Sequence, residues 1–95
     1  MLMDGSVSDE TRIEIIKIIE TESEKVLGHH CLRTRVSGKV TFVDVHVVLD
    51  GNMILNEAHD IADNIEKRIM DFIPNSIATI HLDPRDDSAE KNYPI

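Results

Sequence analysis

Val40-Thr41-Phe42-Val43-Asp44-Val45-His46-Val47-Val48-Leu49 is a ten-residue run whose alternation decides the fold. Successive side chains on a strand point to opposite faces, so Val43, Val45, Val47 and Leu49 form one apolar edge. Phe42, Asp44, His46 and Val48 take the other. A strand that buries valines on one side and shows a carboxylate and an imidazole on the other is half-buried, with its polar side free for chemistry.

Working outward, the segment from His29 to Val36 reads as extended, and Ser37-Gly38-Lys39 supplies the turn that joins it to the valine strand as a hairpin. Upstream, Ser8 is placed to cap a helix, with Asp9 and Glu10 in its first turn. Ile13, Ile16 and Ile19 recur at helical spacing, Ile15 and Ile18 widen the stripe, and the helix is predicted from about Ser8 to Lys25, stopped by Gly28. Downstream, Asp50-Gly51-Asn52 turns the chain. Ala58, Ile61, Ala62, Ile65, Ile69 and Phe72 mark a second amphipathic helix that Pro74 ends, with His59, Asp63 and Glu66 on its exposed side. A last strand, Ile77 to Leu82, sends Ala78, Ile80 and Leu82 one way and Ile77, Thr79, His81 and Asp83 the other. The order is αββαβ, an α+β two-layer sandwich whose helices cover one sheet face and leave the other open. Residues 1–7 read as a lead-in, 8–84 as the single domain and 85–95 as a polar, flexible tail.

With 41% hydrophobic residues, 3% aromatic and no Trp in 95 residues, the core rests on Ile, Val and Leu and is thin, so a homodimer would add useful buried area. Ten Lys and Arg against eighteen Asp and Glu give a net charge of -8. Such a surface disfavours nucleic acid and anionic lipid and attracts divalent cations. One cysteine, Cys31, forms no internal disulfide, which fits a cytosolic setting. No apolar run approaches the roughly 20 residues that cross a bilayer.

The chemistry-bearing residues are the five histidines, His29, His30, His46, His59 and His81, with Asp83. His46 in mid-strand and the His81/Asp83 pair on one face of another strand have positions that could converge. Imidazole with carboxylate suits Zn²⁺ and its first-row relatives, although an isolated His-x-Asp on a strand is common and its spacing alone does not specify a metal site. Cys31 is read as a core filler, and Arg33 with Arg35 as partners of nearby acids rather than of an anionic ligand. His59-Asp60 imitates half of a phosphohydrolase motif whose remainder is missing. There is no phosphate loop, nucleophile elbow or paired-cysteine motif, so no enzymatic activity is expected.

The blocks His30-Cys31-Leu32-Arg33-Thr34-Arg35, Asp44-Val45-His46-Val47, Glu57-Ala58-His59-Asp60-Ile61-Ala62-Asp63 and Ile80-His81-Leu82-Asp83-Pro84, in this order, resemble the cytosolic C-terminal domain of the cation diffusion facilitator family. The resemblance runs from about Leu2 to Pro84 and implies a ferredoxin-like, metallochaperone-like fold pairing into a V-shaped homodimer. It further implies residues 1–7 as a connector from a membrane part, a place on the cytoplasmic side of the cell membrane, and ions that draw the two arms together. Carried over by position, the family's zinc ligands fall on His30, His46, His59, His81 and Asp83. Cys31, where relatives often carry an acid, and the additional His29 depart from the pattern. The function implied is a zinc-sensing regulatory and dimerisation domain of a divalent-cation exporter. The rivals are a stand-alone α/β ligand- or partner-binding module and, from chemistry, a metal-dependent hydrolase.

Overall fold

The computed structural model describes residues 5–85. Five elements follow in order: α1 (Asp9–Thr21), β1 (Gly28–Ser37), β2 (Val40–Leu49), α2 (Leu55–Phe72) and β3 (Ser76–Pro84). The sheet order is β1-β2-β3. β1 and β2 are an antiparallel hairpin, whereas β3 returns through α2 to lie parallel to β2. Gly38 has φ 61° and leads the two-residue loop between β1 and β2, where a left-handed first position matches the strands' twist.

The valine alternation does what its period requires. Val43, Val45, Val47 and Leu49 are buried and join Ile15 and Ile19 of α1, Ile61, Ile65 and Ile69 of α2, Leu32 and Ala78 in one core. Both helices thus cover one sheet face. The Ser8 hydroxyl accepts from the Thr11 N–H and caps α1 as its sequence suggests.

Three expectations about the helices need correction. α1 ends at Thr21, four residues short of Lys25. The Thr21 hydroxyl donates to the Lys17 carbonyl at 2.5 Å and the Ser23 hydroxyl accepts from the Lys25 N–H, so local side-chain bonds compete with further helix. The stripe centres on Ile15 and Ile19 and leaves Ile13 53% exposed, because Ile13 sits about 200° around the helix from Ile15. Phe72, at the last residue of α2, lies beyond the buried row of Ile61, Ala62, Ile65 and Ile69 and is exposed. Ile73 then takes an extended conformation (φ -113°), as a residue before proline prefers.

The lead-in is tied down more firmly than a free connector. Gly5 pairs with Val36 through two backbone hydrogen bonds, and the Val7 N–H donates to the Thr34 hydroxyl. The Arg85 N–H donates to the Leu49 carbonyl at the other end of the sheet. The remainder of the expected connector, residues 1–4, and of the expected tail, residues 86–95, lie outside the described residues.

Candidate metal centre

Cross-strand partners share a sheet face, so the registers say which side chains meet on the face the helices leave open. His30 pairs with His46, and His46 pairs with His81, which puts one imidazole on each strand in a single rung. The rings stack: His30 and His46 have centroids 4.9 Å apart, and His46 and His81 lie 4.5 Å apart at 16° between planes. Asp83, opposite Val48, and Asp44, two residues before His46, stand at the neighbouring positions of the same face.

A β-bulge makes this possible. Between the His30–His46 and Arg33–Asp44 pairs, β1 places Cys31 and Leu32 against Val45 alone. Cys31 takes φ 56°, a left-handed conformation uncommon outside glycine. The extra residue reverses the parity of β1, so His30 and Arg33, three apart, both face the open side while Leu32 turns into the core. The Arg12 guanidinium donates to the Leu32 carbonyl at 2.9 Å, satisfying a backbone group beside the bulge.

Asp83 is the hub. Its Oδ2 lies 2.8 Å from His30 Nε2 and 3.0 Å from His46 Nδ1. An ionised carboxylate only accepts, so each contact is a hydrogen bond in the tautomer that places the proton on that nitrogen. On the other side of the rung, His81 Nε2 lies 2.8 Å from Asp44 Oδ1. Among the described residues two sets of ligand atoms result, His30–His46–Asp83 and Asp44–His46–His81, each with its members within 4.8 Å of one another. Bonds of about 2.0–2.2 Å let one ion reach three such atoms after small side-chain rotations, and nitrogen with carboxylate oxygen suits zinc and other first-row ions. The donor set therefore fits a divalent transition metal.

Of the five residues singled out by sequence, His30, His46, His81 and Asp83 come together. His59 does not. Its side chain is 71% exposed on the outer side of α2, 3.3 Å from Asp63, and it belongs to neither set. His29 faces the helix layer, 3.6 Å from Glu20 of α1, and Cys31 is also in neither set. Cys31 is half-buried at the bulge rather than a core filler. The residue missed is Asp44, although its place beside His46 on the polar edge of β2 was visible in the alternation.

Arg33 and Arg35 lie farther along the open face, where a groove of about 640 Å³ is lined by both with Arg12, Phe42, Asp44 and Ile77. The Arg35 guanidinium sits 4.4 Å over the Phe42 ring, so an aromatic face is one partner of this pair.

A family model for the cytoplasmic domain of cation efflux proteins matches residues 7–85. The cation-efflux pump FieF of Shewanella oneidensis is 43% identical over 83 residues, which make up 87% of this chain and 28% of that protein. The chain thus spans little more than a quarter of such a relative. Among solved structures, the candidate zinc transporter CzrB in a zinc form is similar with a TM-score of 0.77 and 28% identity, over 96% of this chain and 100% of that one. The MamM C-terminal domain in a nickel form, at 18% identity and a TM-score of 0.72 over 83% and 100%, shares the fold.

Proposed function

The chain belongs to the cation efflux family as its cytoplasmic domain, and from that premise we propose that it is the metal-sensing, dimerising regulatory domain of a divalent-cation exporter. Zinc is the ion we assign, or a close first-row relative. The observation that carries this reading is the rung itself: three imidazoles from three strands, gathered with Asp83 and Asp44 on the one sheet face that no helix covers. Support for zinc comes from the nitrogen-and-oxygen donors, and from the zinc form of a structure that is similar over nearly the whole chain.

His30, His46, His81 and Asp83 would hold the ion, which supplies positive charge and a fixed link between strands. His59, on the far layer of its own protomer, serves as a ligand only when a second copy presents it. Two chains of net charge -8 repel each other, and bound cations reduce that repulsion at the face where they sit. Metal thereby favours a closed, V-shaped homodimer, and the membrane part of the same transporter is the partner that reads it. In this arrangement residues 1–7 connect to that part on the cytoplasmic side of the membrane, residues 8–84 bind and dimerise, and 85–95 form a tail. The acidic surface leaves nucleic acid outside the partners, and nothing in the donor arrangement calls for catalysis.

The test is zinc titration of the metal-stripped chain by calorimetry, with small-angle scattering on the same samples. Micromolar or tighter binding with compaction of a dimer is the expected result. Unchanged zinc affinity in His46→Ala and His81→Ala would remove the site assignment, and binding without compaction would remove the sensing role.

A further inference from the structure

In a chain with eighteen Asp and Glu, the groove at the end of the open face is a local exception. Arg12, Arg33 and Arg35, three of the five arginines, line it. Among the described residues lining it Asp44 is the only acid, and its Oδ1 reaches to His81 of β3, on the side away from Arg33 of β1. Arg12 donates to the Leu32 carbonyl and Arg35 sits over the Phe42 ring. A carbonyl and a ring face bear no net charge, so these two contacts position the guanidiniums without cancelling them. Phe42 pairs with Ile77 across β2 and β3, and Ile77 is 52% exposed. The volume of about 640 Å³ lies within the range of small-ligand sites. Ser6 lines the groove too, directly after Gly5, which is bonded to Val36, so the groove opens where the chain enters the domain.

We propose that this groove receives the phosphate headgroup of an anionic phospholipid from the bilayer beside the domain. The proposal rests on the reading above that residues 1–7 lead to a membrane part, since five extended residues reach at most about 18 Å. Planar guanidiniums offer paired N–H donors that match phosphate oxygens. The phosphate lies among the arginines, and the glycerol and first acyl carbons cover Phe42 and Ile77, which a free phosphate ion would leave wet. The net charge of -8 opposes any anion, but screening confines such fields to about 8 Å at physiological ionic strength, so the arginines at the groove decide. A site held a few residues from the bilayer also meets its lipids at high effective concentration, so a weak intrinsic affinity suffices. A headgroup bound there sets the orientation of the domain against the membrane.

Dihexanoylphosphatidylglycerol, kept below its micelle concentration, is titrated into the isotope-labelled, metal-stripped 95-residue chain and followed by NMR. Inorganic phosphate and dihexanoylphosphatidylcholine are titrated in parallel. Saturable shifts of the Arg33, Arg35, Phe42 and Ile77 amides are expected with phosphatidylglycerol, with binding at least about tenfold weaker for either comparison compound. Arg33→Gln and Arg35→Gln should each weaken phosphatidylglycerol about tenfold, as loss of a charged hydrogen-bond donor does. Ile77→Ser should weaken the lipid and leave inorganic phosphate unchanged. Melting curves check that each variant folds. The inference is overturned if phosphatidylglycerol gives no saturable shift, or binds the Arg33→Gln/Arg35→Gln double variant as it binds the unmodified chain. Equal binding of inorganic phosphate would make the groove a simple anion pocket, and equal binding of phosphatidylcholine an apolar contact; either also overturns it. The short-chain lipid needs neither metal nor a membrane part, so a failure here is distinct from a failure of the zinc titration.

Discussion

Asp83→Asn isolates the hub of the rung. Zinc that binds only the folded chain stabilises it by about 2.7 kcal/mol when free zinc is a hundred times the dissociation constant. For a domain of this size, 1 kcal/mol moves the melting temperature by about 4–8 °C, so zinc should raise it by about 11–22 °C. Asp83 is the carboxylate of the His30–His46–Asp83 set and touches both of that set's histidines, at 2.8 and 3.0 Å. Mutation of groups that merely orient metal ligands weakens affinity about 10–100-fold, and a direct ligand should reach at least the upper figure. At the same zinc concentration a hundredfold loss leaves about 0.4 kcal/mol, a shift of about 2–3 °C. Asparagine keeps the size of the side chain and can still accept from one histidine, so with chelator present the variant should melt within about 1 kcal/mol of the unmodified chain. The assay is thermal melting by circular dichroism at one protein concentration, with chelator and with zinc. A variant that keeps the whole zinc-induced shift would refute the reasoning, as would one whose melting falls equally in both conditions.

Two further outcomes follow from the fold. Ile65→Ala, at a fully buried position of α2, should lose about 2–5 kcal/mol in urea unfolding, and a loss under 1 kcal/mol would mean that the helix layer closes around the gap. Cys31→Val puts a branched side chain at φ 56° and should destabilise by about 1–2 kcal/mol or slip the bulge, whereas Cys31→Gly should be tolerated. Equal stability of the two variants would show that the left-handed residue is not what sets the register.

Much of this architecture is legible from periodicity, and the parts that are not have local causes. The alternation of Val43 to Leu49 identifies the core face of β2 and, by the same parity, the polar face with Asp44 and His46. The same reading puts His81 and Asp83 on one side of β3, and they do meet His46. The bulge is different. A parity change hidden in Cys31-Leu32 depends on a cysteine accepting a backbone that favours glycine, and composition offers no sign of that. The early end of α1 likewise turns on two hydroxyls, at Thr21 and Ser23, bonding to nearby backbone groups. His59 shares the histidine chemistry of the rung, and its separation from it follows from which sheet face α2 packs against. The alternation puts Asp44 beside His46, but its role as a possible ligand depends on the register that brings His81 next to it.

The pairs that meet at Asp83 lie 53 and 37 residues apart along the chain. An unfolded chain must close loops of that length to bring such ligands together, at an entropy cost that grows with the logarithm of loop length. An ion held there is therefore a removable cross-link. It restrains the same kind of long loop that a disulfide would, across these 95 residues whose single cysteine has no second one among them to bridge to. Unlike a disulfide, this tie is set by the concentration of a free ion, so the rigidity of the sheet becomes a quantity that its surroundings can adjust.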